Sequence, residues 1–413
     1  MKCIVANPNI APHVKESVLA YQENDLLKTF YTTFFEHSKY PLTNFLGTIL
    51  PALKKEFKRR SFEELPYHFI KAYPYKELLR VFAARKLNPV LTDKIWEWAE
   101  HSFDRWVAMQ LKADIDFIHV TENACLSTLK KAKQLNITSF YEQPSIHHLS
   151  YTDIVKNQHL KYPIFLKNEM NTVHDLHGKR RDQRRDDELF LADKIICNST
   201  FTKKSLIKAG LPEDNIITVP LGFPVVSPLV KEKKIGEKII FMYAGNLSIG
   251  KGSHILLETW KELKLNKKHV ELWLVGKNHL PETFLTGLDD NVKFFGNIPR
   301  TDLMDTYGNA HVFVHPTLAD GFGMVITEAM ACGLPVIATY NCAGPDIITD
   351  KKNGLLIPAD DKNALKDAIS WCLSNQSKLI EMGIEAKQKA ASYSWADYRK
   401  KLVEQVITNL SYK

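Results

Sequence analysis

The stretch His311–Thr339, HVFVHPTLADGFGMVITEAMACGLPVIAT, decides how this chain folds. Its apolar run Val312, Phe313, Val314 predicts a short strand, followed by a loop of small and turn-forming residues, Pro316–Gly323. From Met324 to Cys332, Val325, Ile326, Ala329 and Met330 recur at helical spacing, and Gly333 with Pro335 ends the helix. Val336–Ala338 is a second apolar strand. The segment is one β-loop-α-β unit, the building block of a parallel α/β sheet.

The loop carries the chemistry. Gly321, Phe322 and Gly323 stand at a helix start, where unpaired N–H groups and the positive end of the helix dipole converge and attract phosphate. Asp320 precedes them, and Glu328 lies on the helix itself. Helical side chains lean toward the N-terminus, so Glu328 still overlooks the loop. Carboxylates only accept hydrogen bonds, which suits sugar hydroxyls better than phosphate. The pattern predicts a nucleotide-sugar site, with phosphates at the helix start and hydroxyls on the two acids. In isolation the same residues would fit an ordinary helix start with surface acids.

The whole string resembles the E-G-F-G-x-x-x-x-E-A-M-A-x-G-x-P-V-I-A signature of glycosyltransferase family 4, among the group 1 glycosyl transferases. Asp320 stands where that family usually has Glu, and Glu328 takes the second acidic position. The resemblance implies an α/β GT-B fold: two Rossmann-like domains facing each other across a cleft, with a C-terminal helix crossing back to the N-terminal domain. It also implies that Asp320 orients the donor sugar and Glu328 the ribose.

A second glycine turn supports the same reading. The strand Ile239–Ala244 runs into GNLSIGKG (Gly245–Gly252) and a helix from Ser253 to Leu263, again built to approach phosphate. Lys251, between Gly250 and Gly252, would place an ammonium at the diphosphate. The family pattern here is G-R-L-x-x-x-K-G, so Lys251 matches while Asn246 replaces Arg. A neutral amide for a charged fork removes about 1.5–3 kcal/mol of leaving-group stabilisation unless another cation substitutes. The strand Glu271–Gly276 ends at Gly276 and Lys277, suited to the nucleotide. Val292–Gly296 leads to Asn297, Ile298 and a helix from Thr301; family members meet the base with backbone near this strand. The expected donor contacts are therefore Gly245, Asn246, Gly250, Lys251, Gly276, Lys277, Asn297, Ile298, Asp320, Gly321, Phe322, Gly323, Met324, Val325 and Glu328. Lys251, Asp320 and Glu328 carry the catalytic expectation.

Length and composition set the frame. At 413 residues the chain fits two domains, with 45% hydrophobic and 25% charged residues, as in an ordinary globular protein. No apolar run reaches the roughly 18 residues of a membrane span. MKCIVANPNIAPHVKES predicts no signal peptide, and six scattered cysteines without a C-x-x-C pair read as reduced buried thiols of a cytoplasmic protein. The net charge of +8 suits anionic ligands.

The domain expectation is 1–222 as an N-terminal acceptor-binding unit, joined by the helix 395–413, and 223–394 as the nucleotide-sugar-binding unit. Strands are expected at Lys2–Ala6, Leu27–Phe34, Asp116–Val120, Ile137–Tyr141, Lys194–Cys197 and Ile216–Val219. Helices are expected at His13–Gln22, Leu50–Arg60, Tyr75–Arg85, Thr92–Leu111, Lys362–Ser374, Lys378–Ala391 and Trp395–Leu410, with Pro224–Lys238 as linker. No G-x-G-x-x-G follows the first strand, consistent with an acceptor role. Asn9, Glu142, Gln143 and His147 are the acceptor-side candidates; Glu142 and Gln143 stand where family members carry a His-Asp pair.

Asp114-Ile115-Asp116 fits a D-x-D metal pattern but precedes an apolar strand, where acids mark the strand entrance, so no metal and no cofactor is expected. The reaction expected is retaining transfer from a nucleoside diphosphate sugar, UDP-sugar before GDP-sugar, to a carbohydrate or lipid-linked hydroxyl. Lys, Asn and Ile usage hints at a bacterial source, where such enzymes build surface polysaccharide or glycoconjugate. A non-catalytic GT-B subunit, and an epimerase or hydrolase on the same fold, are the alternatives. Lys54, Lys55, Lys58, Arg59 and Arg60, and the run Lys179, Arg180, Arg181, Arg184, Arg185, are candidates for peripheral contact with anionic lipid on the inner face of the membrane. Bases interleaved with acids, and no binding motif, argue against nucleic acid.

Overall fold

In the computed structural model, which describes residues 1–39, 58–166, 176–226, 234–265 and 269–410, two wholly parallel sheets carry the chain. The first comprises β1 (Cys3–Ala6), β2 (Leu27–Thr32), β3 (Ile70–Ala72), β4 (Phe117–Thr121), β5 (Thr138–Gln143), β6 (Lys194–Cys197) and β7 (Ile216–Thr218), in the order β3-β2-β1-β4-β5-β6-β7. The second comprises β8 (Ile239–Ala244), β9 (Val270–Val275), β10 (Val292–Gly296), β11 (Val312–His315), β12 (Val336–Thr339) and β13 (Gly354–Ile357), in the order β10-β9-β8-β11-β12-β13. Strands such as VFVH and VIAT are buried along their whole length because helices cover both faces. This is the GT-B arrangement expected from the sequence.

Most element bounds agree with the periodicity to within a residue or two. The second strand stops at Thr32, and Leu50–Arg60 falls mainly outside the described residues. Part of the expected linker, 227–233, lies outside them as well.

In each sheet the strand order reverses between two neighbours: β1 and β4 in the first, β8 and β11 in the second. Loops leaving the carboxyl ends of such a pair diverge to opposite faces and open a crevice, where ligands of doubly wound sheets sit. In the second sheet those two loops are Gly245–Gly252 and Pro316–Gly323.

The two halves are tied at several places among the described residues, three of them away from the glycine turns. The helix Trp395–Leu410 crosses back onto the helix Pro12–Glu23: the Tyr398 and Ser17 hydroxyls lie 2.9 Å apart, and Arg399 pairs with Glu16 and, at 2.8 Å, with Glu23. The two crossing strands of chain run side by side, Phe223 N–H donating to Tyr393 O at 2.9 Å. The third tie was not legible in the sequence. The helix His148–Lys161 and the turn Pro163–Phe165, expected in the first domain, lean onto the second: Phe165 packs with Phe241, Leu256 and Phe284, and Gln158 accepts from His254 at 3.0 Å.

Candidate active site

Both glycine turns are forced into contact by their backbones. Gly252, at φ +64°, has Pro316 O where a Cβ would lie, 1.9 Å away, so only glycine fits. The Gly250 carbonyl accepts from the Leu318 and Ala319 amides at 3.0 and 3.2 Å and from the Thr317 hydroxyl at 3.1 Å. This stitching brings Lys251 onto Asp320 as an ion pair. His315, at the end of β11, lies 3.5 Å from the same carboxylate. Burial opposes ionisation of Asp320, but the neighbouring His315 and the Lys251 charge outweigh it and hold the carboxyl well below its ordinary range.

Glu328 takes a different partner. Its carboxylate meets the Arg300 guanidinium at 3.0 Å, at the start of the helix Arg300–Asn309, and Tyr307 flanks it. Burial dominates here and raises its pKa, with Arg300 opposing. Each expected acid thus has a cation in this protein, and Arg300 and His315 were both missed. Arg300 directly follows Asn297-Ile298-Pro299, and His315 stands inside the stretch that decided the fold, so position could have flagged either.

The remaining donor-side residues lie along the same sheet edge. The β8–β9 ladder continues past the strands: Gly245 N–H donates to Val275 O and Leu247 N–H to Lys277 O, both at 2.9 Å, and Gly276 sits against the Gly245 carbonyl with no room for a Cβ. Asn297 is exposed and Ile298 half-buried beyond β10, while Met324 and Val325 are half-buried in the first turn of the helix Met324–Ala331. Phe322 departs from expectation. Its ring is buried in the cluster containing Phe117, Phe140 and Tyr398 of the first domain, and its N–H is taken by Asp320 Oδ1 at 3.3 Å. The ring clamps the loop to the facing domain by burying its apolar area there.

The first domain closes directly on this loop. Gly321 lies so near Pro144 O that a Cβ would come within 1.9 Å, and its own carbonyl accepts from the Ser199 and Thr202 hydroxyls. Asp346 of the second domain accepts from Thr200 N–H at 2.9 Å. The segment Ala192–Ser199 that leads into these residues is thus an interdomain clasp.

On the acceptor side, Glu142 is buried at the end of β5, 3.7 Å from His119. Gln143 Nε2 donates to Ser145 O at 2.9 Å, next to Gly321's contact. Asn9 follows β1, its Oδ1 accepting from Arg60 at 3.1 Å. His147 is buried and turned into its own domain, Nε2 3.0 Å from Asp186, whose same oxygen meets His148 at 2.8 Å. These three residues are close enough to hold a metal ion. The Leu149 amide, however, points at His147 Nδ1 from 3.3 Å, which leaves the proton on Nε2 and makes Asp186 its acceptor. Asp114 pairs with Lys28 at 2.6 Å and Asp116 accepts from Lys2 N–H, so both acids brace a strand entrance.

Two lipid-contact candidates change. Arg60 is held by Glu77, Thr33 and Asn9, and Arg181, Arg184 and Arg185 pair with Asp93, Asp104 and Glu122, leaving Lys179 and Arg180 as exposed bases of that run. Among the described residues no helix is long and apolar enough to cross a membrane.

Comparison with known proteins agrees with the geometry. The family model for glycosyl transferases group 1 matches residues 229–389. The chain is similar to the capsular polysaccharide biosynthesis glycosyltransferase CapM of Staphylococcus aureus, 28% identical over 222 residues, which is 49% of this chain and 57% of that one. It is similar to O-antigen chain mannosyltransferase B of Escherichia coli, 24% identical over 56% of this chain and 68% of that one. The match therefore spans only about half to two thirds of these relatives. Among solved structures, Anabaena HepE in complex with UDP superposes with a TM-score of 0.62 at 17% identity, covering 99% of this chain and 100% of that one, a likeness of fold.

Proposed function

We propose that this chain, whose residues 229–389 belong to the group 1 glycosyl transferases, is a glycosyltransferase moving a sugar from a nucleoside diphosphate sugar to a hydroxyl, with retention at the anomeric carbon. The observation that carries this reading is the meeting of Lys251 and Asp320 at the strand-order reversal of the second sheet, with the first domain closed over the same loop. UDP-sugars are the first donors to test, because the fold neighbour was solved with UDP; GDP-sugars follow. The capsular and O-antigen relatives support a carbohydrate or lipid-linked acceptor of surface polysaccharide synthesis.

In this mechanism the bond between the anomeric carbon and the diphosphate oxygen breaks as the acceptor oxygen bonds to the same face. The acceptor's proton passes to the departing phosphate. Lys251 and the Gly321 and Gly323 amides meet the charge growing on the diphosphate, where fixed donors act most strongly. Asp320 then turns from Lys251 to the sugar hydroxyls, and Glu328 from Arg300 to the ribose. Closure of the two domains keeps water, the competing acceptor, out.

A thermal-shift screen with UDP, GDP, UDP-glucose and GDP-mannose tests the reading, because a ligand bound to the folded state raises the melting point. At least one should do so in the wild type. Lys251→Ala should weaken that binding and lower turnover about 10–100-fold, the value of a charged contact of 1.5–3 kcal/mol. No shift with any of the four, or an unchanged Lys251→Ala variant, removes the assignment. Binding without product on any acceptor would favour the non-catalytic subunit.

A further inference from the structure

We propose that His315 is a positioning residue: it holds Asp320 in place once a donor diphosphate has drawn Lys251 away. The inference rests on the donor site proposed above. In the donor-free protein the catalytic cation and the sugar-reading acid neutralise each other, so binding a diphosphate at Lys251 must strip Asp320 of its partner. A carboxylate this deep in the cleft, left with only the Phe322 amide at 3.3 Å on Oδ1, would be costly and its Oδ2 free to swing.

His315 is placed to prevent that. It is 2% exposed, and neither ring nitrogen has a hydrogen-bond partner, an expensive condition for a buried polar group that calls for an explanation. Its Nε2 stands 3.5 Å from Asp320 Oδ2, too far for a made hydrogen bond but within a small rotation of one. The ring is stacked against Phe313 at 6.3 Å between centroids, and Gly323 leaves it room: a Cβ there would come within 3.1 Å of Nε2. The donor-free state therefore holds an unused donor aimed at the carboxylate oxygen that donor binding parts from Lys251. On release of Lys251, Nε2–H donates to Oδ2 and keeps the carboxylate facing the sugar.

Two measurements decide this. The first is a thermal-unfolding cycle with Lys251→Met, His315→Leu and the double variant, without ligand. If His315 substitutes for Lys251, losing both should destabilise by clearly more than the two single losses added, because Asp320 Oδ2 then has neither cation nor imidazole. Strict additivity overturns the proposal, whatever the fate of the transferase reading. The second compares UDP with UDP-glucose. His315→Leu should keep the shift given by UDP but lose about tenfold of the added affinity due to the sugar, and His315→Gln, which still presents an N–H, should restore it. A Leu variant that matches wild type toward the sugar, or a Gln variant that fails as Leu does, counts against the proposal. If neither nucleotide shifts the wild type, the donor reading has failed and the unfolding cycle alone still tests His315.

Discussion

Glu328 and Arg300 give the sharpest residue-level expectation about pH. Burial raises the Glu328 pKa above its ordinary value, and Arg300 opposes that rise. The ionised carboxylate accepts from ribose hydroxyls more strongly than the neutral acid, so nucleotide binding should weaken as pH falls through this raised value. Arg300→Gln removes the opposing charge and should move the acid limb to higher pH. Titrating UDP or GDP affinity against pH in both forms checks the direction; a limb that moves downward would mean Arg300 does not act on Glu328.

At the scale of the element, the ladder between β8 and β9 solves a problem the sequence only posed. Ala244 pairs with Val275 and Leu247 with Asn278, so Asn246 and Lys277 both lie between these two pairings, past the ends of β8 and β9. Lys277 is exposed and forms no ion pair among the described residues, and we propose it as the cation that substitutes for the Arg replaced by Asn246. Lys277→Ala should weaken UDP or GDP binding about tenfold, and Asn246→Arg on that background should restore much of it. A neutral Lys277→Ala in calorimetry would leave Lys251 as the cation that matters.

Across the whole molecule, the contacts between halves are themselves testable. Gly321 has an ordinary φ, so alanine is allowed by backbone, yet a Cβ would strike Pro144 O at 1.9 Å. Gly321→Ala should therefore fold but hold the domains apart, lowering turnover far more than the melting point; small-angle scattering would show the wider form. The buried His254–Gln158 contact predicts an acid response. Burial lowers the His254 pKa from 6.5 to about 4. The unfolded chain takes up the proton first, so stability is full above pH 6.5 and falls as pH drops toward about 4, by roughly 3 kcal/mol at 1.36 kcal/mol per unit. His254→Leu with Gln158→Leu should flatten that fall in denaturant titrations between those limits.

The sequence by itself determined the parallel α/β elements, the terminal helix, and the two glycine turns with Lys251, Asp320 and Glu328, because periodicity, glycine position and charge are local properties of the chain; that the terminal helix crosses back was implied by the family resemblance. Tertiary structure alone decided which charges meet. Lys251 faces Asp320 across 69 positions, Arg300 faces Glu328, and Phe322 belongs to the opposite domain's core. Such pairings depend on strand order and on the approach of two domains, which no window of sequence contains. His315 could be read as a strand-end residue from its neighbours, but its buried, unpartnered ring exists only because the folded loop wraps around it.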